Sequence, residues 1–147
     1  MPASGDILKQ AIGTEQAAYE FYRKCADATA QENLKGLFSK LASEELKHKE
    51  MLSSLNPESS EMVASSISWF NVVDTLWTSN SENTKNVRNI LEFAMGRELK
   101  EGEYYRSLSE MLAEPRLKRL CASLAVVESG HYSLLRAEYE RFIGSIR

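Results

Sequence analysis

Residues 42–52 read ASEELKHKEML and residues 125–135 read AVVESGHYSLL. Both contain Glu-x-x-His, as Glu45/His48 and Glu128/His131, and both sit in runs whose apolar residues recur at alternating steps of three and four. That rhythm is the signature of a helix with one buried face, and Glu and His three apart project from the same face one turn apart. The two stretches are 83 residues apart, and the correspondence extends outward from them. Residues 7–52 align without a gap onto residues 90–135. Ile7 pairs with Ile90, Leu8 with Leu91, Ala11 with Ala94, Gly13 with Gly96, Glu15 with Glu98, Tyr22 with Tyr105, Arg23 with Arg106, Leu34 with Leu117, Leu41 with Leu124 and Leu52 with Leu135. The chain is an internal repeat.

Each half reads as two helices joined by a short turn, because Gly and Pro are scarce within the periodic runs. The spacing predicts helices near 5–30, 32–55, 87–113 and 115–143, an all-α chain of two repeated hairpins, 5–55 and 87–143, in a single domain spanning 1–147. Pro115 suits the first turn of the fourth helix, where its missing N–H costs nothing. The long connection, 56–86, is rich in Ser and Asn. It also holds Ile67, Trp69, Phe70, Val73, Leu76 and Trp77, enough for a short amphipathic helix that covers the core or a subunit contact.

The inward seams follow from the three-four rhythm of a bundle core. They are Leu8, Ala11, Glu15, Ala18, Tyr22 and Cys25; Leu34, Phe38, Leu41, Glu45, His48, Leu52 and Leu55; Leu91, Ala94, Glu98, Glu101, Tyr105, Leu108 and Leu112; and Leu117, Cys121, Leu124, Glu128, His131 and Leu135. Each is apolar except at one level. With a turn near residue 31, Glu15 and Glu45 lie roughly 24 and 21 Å from it along their helices, and Glu98 and Glu128 repeat that arithmetic about a turn near 114. Buried carboxylates must be neutralised, since desolvating an ion costs several kcal/mol even after relaxation. Four Glu with two neutral His balance two divalent cations, and Glu101 adds a fifth negative charge that suits a more oxidised pair. Oxygen-rich sites with two imidazoles favour iron first and manganese second, with zinc as a possible substitute.

Composition excludes other classes. The 147 residues carry a formal net charge of −3, with Lys and Arg scattered among acidic residues, so there is no basic stripe for nucleic acid. No window is apolar enough for a membrane span, and the start MPASGDILKQ lacks the pattern of a secretory signal, so a cytoplasmic location is expected. Cys25 and Cys121 form no Cys-x-x-Cys pair and read as buried small hydrophobes.

A Glu on each of two helices with Glu-x-x-His on each of the other two resembles the ligand pattern of ferritin-like di-iron carboxylate proteins. More narrowly, GRELKE at 96–101, with Glu98 and Glu101 three apart, resembles the rubrerythrin-like branch. The resemblance implies a ferritin-like four-helix bundle with the long connection between helices 2 and 3, and two iron ions. It implies that Glu45 and Glu128 bridge the metals, that Glu15 and Glu98 are terminal, and that His48 and His131 each approach one metal. Glu101 is then a mobile ligand that exchanges with His48, and Tyr22 and Tyr105 hydrogen-bond ligand carboxylates and handle protons. The implied activity is reduction of hydrogen peroxide, with ferrous iron oxidation by oxygen as the alternative and an inert metal-stapled bundle as a weaker third. No rubredoxin-like domain is found, so an external electron-transfer protein is expected as donor. Apolar surface on the connection suits a homodimer. Ala18 stands at the repeat position of Glu101, which makes the ligand set asymmetric.

Overall fold

The computed structural model describes residues 4–55 and 84–146, which form four helices and no strand. These are α1 (Ser4–Ala28), α2 (Glu32–Leu55), α3 (Thr84–Met111) and α4 (Pro115–Ser145). The helix expected around Ile67 to Trp77, with Trp69, lies outside the described residues. The chain divides into two compact units at residues 82 and 83, each built on one hairpin. In the first α1 packs on α2, and in the second α3 packs on α4.

The two turns are built alike. In the first, the Thr29 amide donates to the Cys25 carbonyl at 3.3 Å and Lys35 N–H to the Gln31 carbonyl at 2.8 Å. In the second, Leu112 donates to Leu108 at 2.9 Å and Lys118 to Glu114 at 2.9 Å. These are equivalent positions at the 83-residue offset. The side chains repeat as well. Lys35 Nζ donates to the Ala26 carbonyl at 3.1 Å, and Lys118 Nζ to the Ser109 carbonyl. In each hairpin the second helix thus supplies a cation to the carbonyl end of the first, where the helix dipole favours positive charge.

Helix ends fall within a few residues of expectation, and the differences have local causes. α1 stops at Ala28 because the Thr29 hydroxyl accepts the Gln31 N–H at 3.2 Å and turns the chain. α3 ends at Met111, shortly before Pro115, which disfavours helical backbone in the residue before it. Glu114 is accordingly extended, at φ −68° and ψ 117°, and its carboxylate accepts the Leu117 N–H at 2.6 Å as the N-cap of α4.

The buried faces of α2 and α4 coincide through the repeat: Leu34, Phe38, Leu41, Glu45, His48 and Leu52 against Leu117, Cys121, Leu124, Glu128, His131 and Leu135. Leu55, expected on the seam, is only partly buried. α1 and α3 bury a broader stripe than the seam predicts, adding Ile7, Ile12, Phe21, Val87 and Ile90. A helix in a globular core buries an arc wider than two positions per heptad. Cys25 and Cys121 are buried, as expected, and neither is in a disulfide. No described helix is long and apolar enough to cross a membrane.

Candidate metal centre

Among the described residues, the buried acidic, basic and histidine side chains are Glu15, Glu45, His48, Arg97, Glu98, Glu101, Glu128 and His131. Seven of the eight are the residues that the spacing selects as ligands. The eighth, Arg97, was not foreseen.

In the first hairpin, α1 contributes Glu15 and α2 contributes Glu45 and His48. One ligand atom from each lies within 4.8 Å of the others. His48 Nδ1 is 3.4 Å from Glu15 Oε2 and 3.6 Å from Glu45 Oε1. The second hairpin repeats the trio with Glu98 from α3 and Glu128 and His131 from α4, again within 4.8 Å. Here His131 Nδ1 is 3.7 Å from Glu98 Oε2 and 3.8 Å from Glu128 Oε2. Two donors on one ion at about 2.1 Å each lie roughly 3 to 3.5 Å apart, so the spacings suit a small closure onto a shared cation. Carboxylate oxygens with one imidazole nitrogen are the donor set that iron and manganese take.

Glu101, also buried, pairs with Arg97. Its Oε1 accepts from Arg97 Nη1, one turn back on α3, while Arg97 Nη2 donates to Glu98 Oε1 at 2.9 Å. Burial pushes the Glu98 carboxyl up, but its side-chain interactions with Glu128 and His131 and the charge of Arg97 outweigh it and bring the group down to about 2. Tyr22 and Tyr105 are fully buried on α1 and α3. The Tyr22 ring stacks on Phe38 with centroids 6.2 Å apart, and Tyr105 packs against Tyr104 at 5.2 Å.

A groove of about 520 Å³ runs along the second hairpin, walled by Glu98, Gly102, Arg106, Ala125, Val126 and Ser129 among others. A Cβ at Gly102 would stand 3.9 Å from Glu128 Cβ, an ordinary contact with that ligand's helix. The equivalent groove of the first hairpin is smaller, about 350 Å³, and is walled by Tyr19 and Leu46, which occupy the repeat positions of Gly102 and Ser129.

The rubrerythrin family profile matches residues 6–139. The chain belongs to the rubrerythrin family. A solved structure similar to this rubrerythrin-family chain is a hypothetical protein from Pyrococcus furiosus, with 31% identity and a TM-score of 0.74 over 97% of this chain and 91% of that one. No curated protein matches the sequence significantly. The fold class is therefore the all-α, ferritin-like four-helix class of rubrerythrins, and each hairpin presents a buried carboxylate and histidine cluster able to hold a metal ion.

Arg97 had no sequence signal of its own. Its repeat partner is Thr14, and an Arg among charged helix residues ordinarily reads as a solvated side chain. Its i,i+4 spacing to Glu101, together with the seam position of Glu101, was the available clue.

Proposed function

We propose that this rubrerythrin-family protein is a di-iron carboxylate oxidoreductase that reduces hydrogen peroxide to water, drawing electrons from an external electron-transfer protein. The observation that carries the reading is the matched pair of buried Glu–Glu–His trios in a chain where, Arg97 and Glu101 apart, no other described acidic, basic or histidine side chain is buried. Burying four carboxylates in two trios is costly unless cations neutralise them, and two divalent ions do so.

When bound, a reduced pair of iron ions supplies the two electrons that, with two protons, take hydrogen peroxide to two waters. The chain's own residues do the rest. Glu15, Glu45 and His48 would hold one ion and Glu98, Glu128 and His131 the other. Tyr22 and Tyr105 are the hydroxyls assigned to proton delivery, since general acid catalysis needs a donor within hydrogen-bond reach of the reacting group. The groove at Gly102 is the proposed way in for a small oxidant. That Glu98 is among the residues lining this groove supports a reactive centre over a purely structural one, because a structural metal site has no use for an open approach.

The test is anaerobic reconstitution with ferrous iron, followed by stopped-flow absorbance on mixing separately with hydrogen peroxide and with oxygen. Oxidation much faster with peroxide supports the reading. Faster reaction with oxygen, accompanied by turnover of added ferrous iron, would replace it with ferrous iron oxidation.

A further inference from the structure

Among the described residues, the two most exposed large hydrophobic side chains are Val126 at 72% and Leu99 at 51%. Single apolar residues on a surface are ordinary, but these two line the same groove between α3 and α4. Glu103 and Arg106 line it with them, opposite charges one turn apart on α3. Among the described residues neither of these two side chains has a hydrogen bond or an ion pair.

The first hairpin provides an internal comparison, because its groove is built from the same repeat positions and is bridged by its own side chains. Gln16 and Ser43 stand where Leu99 and Val126 do. Lys49 on α2 reaches across to Gln16 Oε1 at 2.7 Å, and Gln16 in turn donates to Glu20 Oε1 at 2.9 Å. Arg23 donates to the Tyr19 hydroxyl at 3.2 Å, with its guanidinium 5.9 Å from the centre of that ring. Glu20 and Arg23 are the repeat partners of Glu103 and Arg106. The same charge pair is therefore satisfied within one hairpin and turned outward in the other, where Leu99, Gly102 and Tyr132 replace Gln16, Tyr19 and Lys49.

An apolar centre beside one positive and one negative group is complementary to itself under a two-fold rotation, which brings Glu103 of each copy to Arg106 of the other. That self-complementarity commits the face to a second copy rather than to a partner of one charge sign, which would set a like charge against Glu103 or Arg106. We propose that the α3–α4 groove face is the contact between two copies of this chain, with Leu99 and Val126 at its centre and two Glu103–Arg106 pairs across it. The contact lies on the second hairpin and not on the connection at 56–86. Because Glu98 lines the same groove, the second copy would wall the approach to the second trio and restrict it to small molecules. That consequence rests on the proposed metal reading, whereas the contact itself does not.

The test is sedimentation equilibrium of the full-length protein as purified, which reads self-association whatever metal the chain carries. The wild type is expected to be dimeric at micromolar concentration. Leu99→Gln with Val126→Ser installs what the first hairpin carries at those positions, and should raise the dimer dissociation constant about 100-fold or more, the scale for removing apolar anchors from the centre of an interface. Glu103→Arg and Arg106→Glu should each weaken the dimer about tenfold. An equimolar mixture of those two single variants should recover dimers, since every charged contact between unlike copies is again Arg with Glu.

A wild type that is monomeric at every concentration would overturn the proposal and leave the groove to a different protein. A dimer that Leu99→Gln with Val126→Ser leaves intact would also overturn it, by putting the contact elsewhere. Mixed single variants that associate no better than either alone would remove the Glu103–Arg106 pairing, and with it the two-fold arrangement.

Discussion

His48 and His131 reach their carboxylates through the same atom at nearly the same distances, 3.4 and 3.6 Å in one hairpin and 3.7 and 3.8 Å in the other. Each imidazole therefore serves one trio. His48→Ala and His131→Ala are each expected to weaken one ion by more than the roughly 10- to 100-fold that loss of a supporting partner costs, leaving one tight ion per chain by equilibrium titration. Tyr105→Phe removes a hydroxyl and no ligand. It should leave metal stoichiometry intact and slow peroxide turnover by about 100-fold, the low end for a lost general acid. The cysteines sit in apolar surroundings, and burial pushes the Cys121 thiol up to about 11. Native protein at neutral pH should thus resist iodoacetamide at both Cys25 and Cys121 and take up two labels once unfolded, as read by intact mass. The ligand candidates were legible at this scale because carboxylates on an apolar seam conflict with their neighbours. Arg97 and Gly102 were not, since an arginine or glycine on a charged helix carries no conflict until the partner helix is in place.

The helices themselves follow from periodicity, and their ends from particular residues. Glu114 caps α4 because Pro115 forces it extended, and the hydrogen bond from Leu117 holds its carboxyl below the ordinary carboxylate value of 4.5. A depressed folded-state pKa means that the cap is stabilising above that ordinary value and is lost as pH falls through the lowered one. Glu114→Ala should accordingly speed hydrogen exchange at the Leu117 amide near neutrality, with the difference from wild type fading in acid. Sequence located α2 and α4 closely, because a single narrow seam matches the buried face of α4 and, but for Ala42 beside it and Leu55 at its end, that of α2. It undercounted the faces of α1 and α3, where Ile12, Phe21 and Ile90 lie beside the seam rather than on it and yet are fully buried. The α1 end was placed two residues late because the Thr29 hydroxyl, which turns the chain, leaves no mark on the hydrophobic pattern.

For the molecule as a whole, the repeat, the rubrerythrin family match over residues 6–139 and the two buried trios agree on a folded chain able to hold metal ions. Ligands that bind only the folded state stabilise it by mass action, about 4.1 kcal/mol at a thousandfold excess over the dissociation constant. Asymmetry between the hairpins, with Arg97, Glu101 and Gly102 on one side and Thr14, Ala18 and Tyr19 on the other, is where reactivity is expected to be set. The most direct measurement is an anaerobic titration of metal-free protein with ferrous iron, following bound iron per chain and the thermal unfolding midpoint together. The expected result is two tightly bound irons per chain, with the midpoint rising until the second equivalent is taken up. Binding of fewer than two, or a midpoint indifferent to iron and unchanged in Glu45→Gln and Glu128→Gln, would contradict the account.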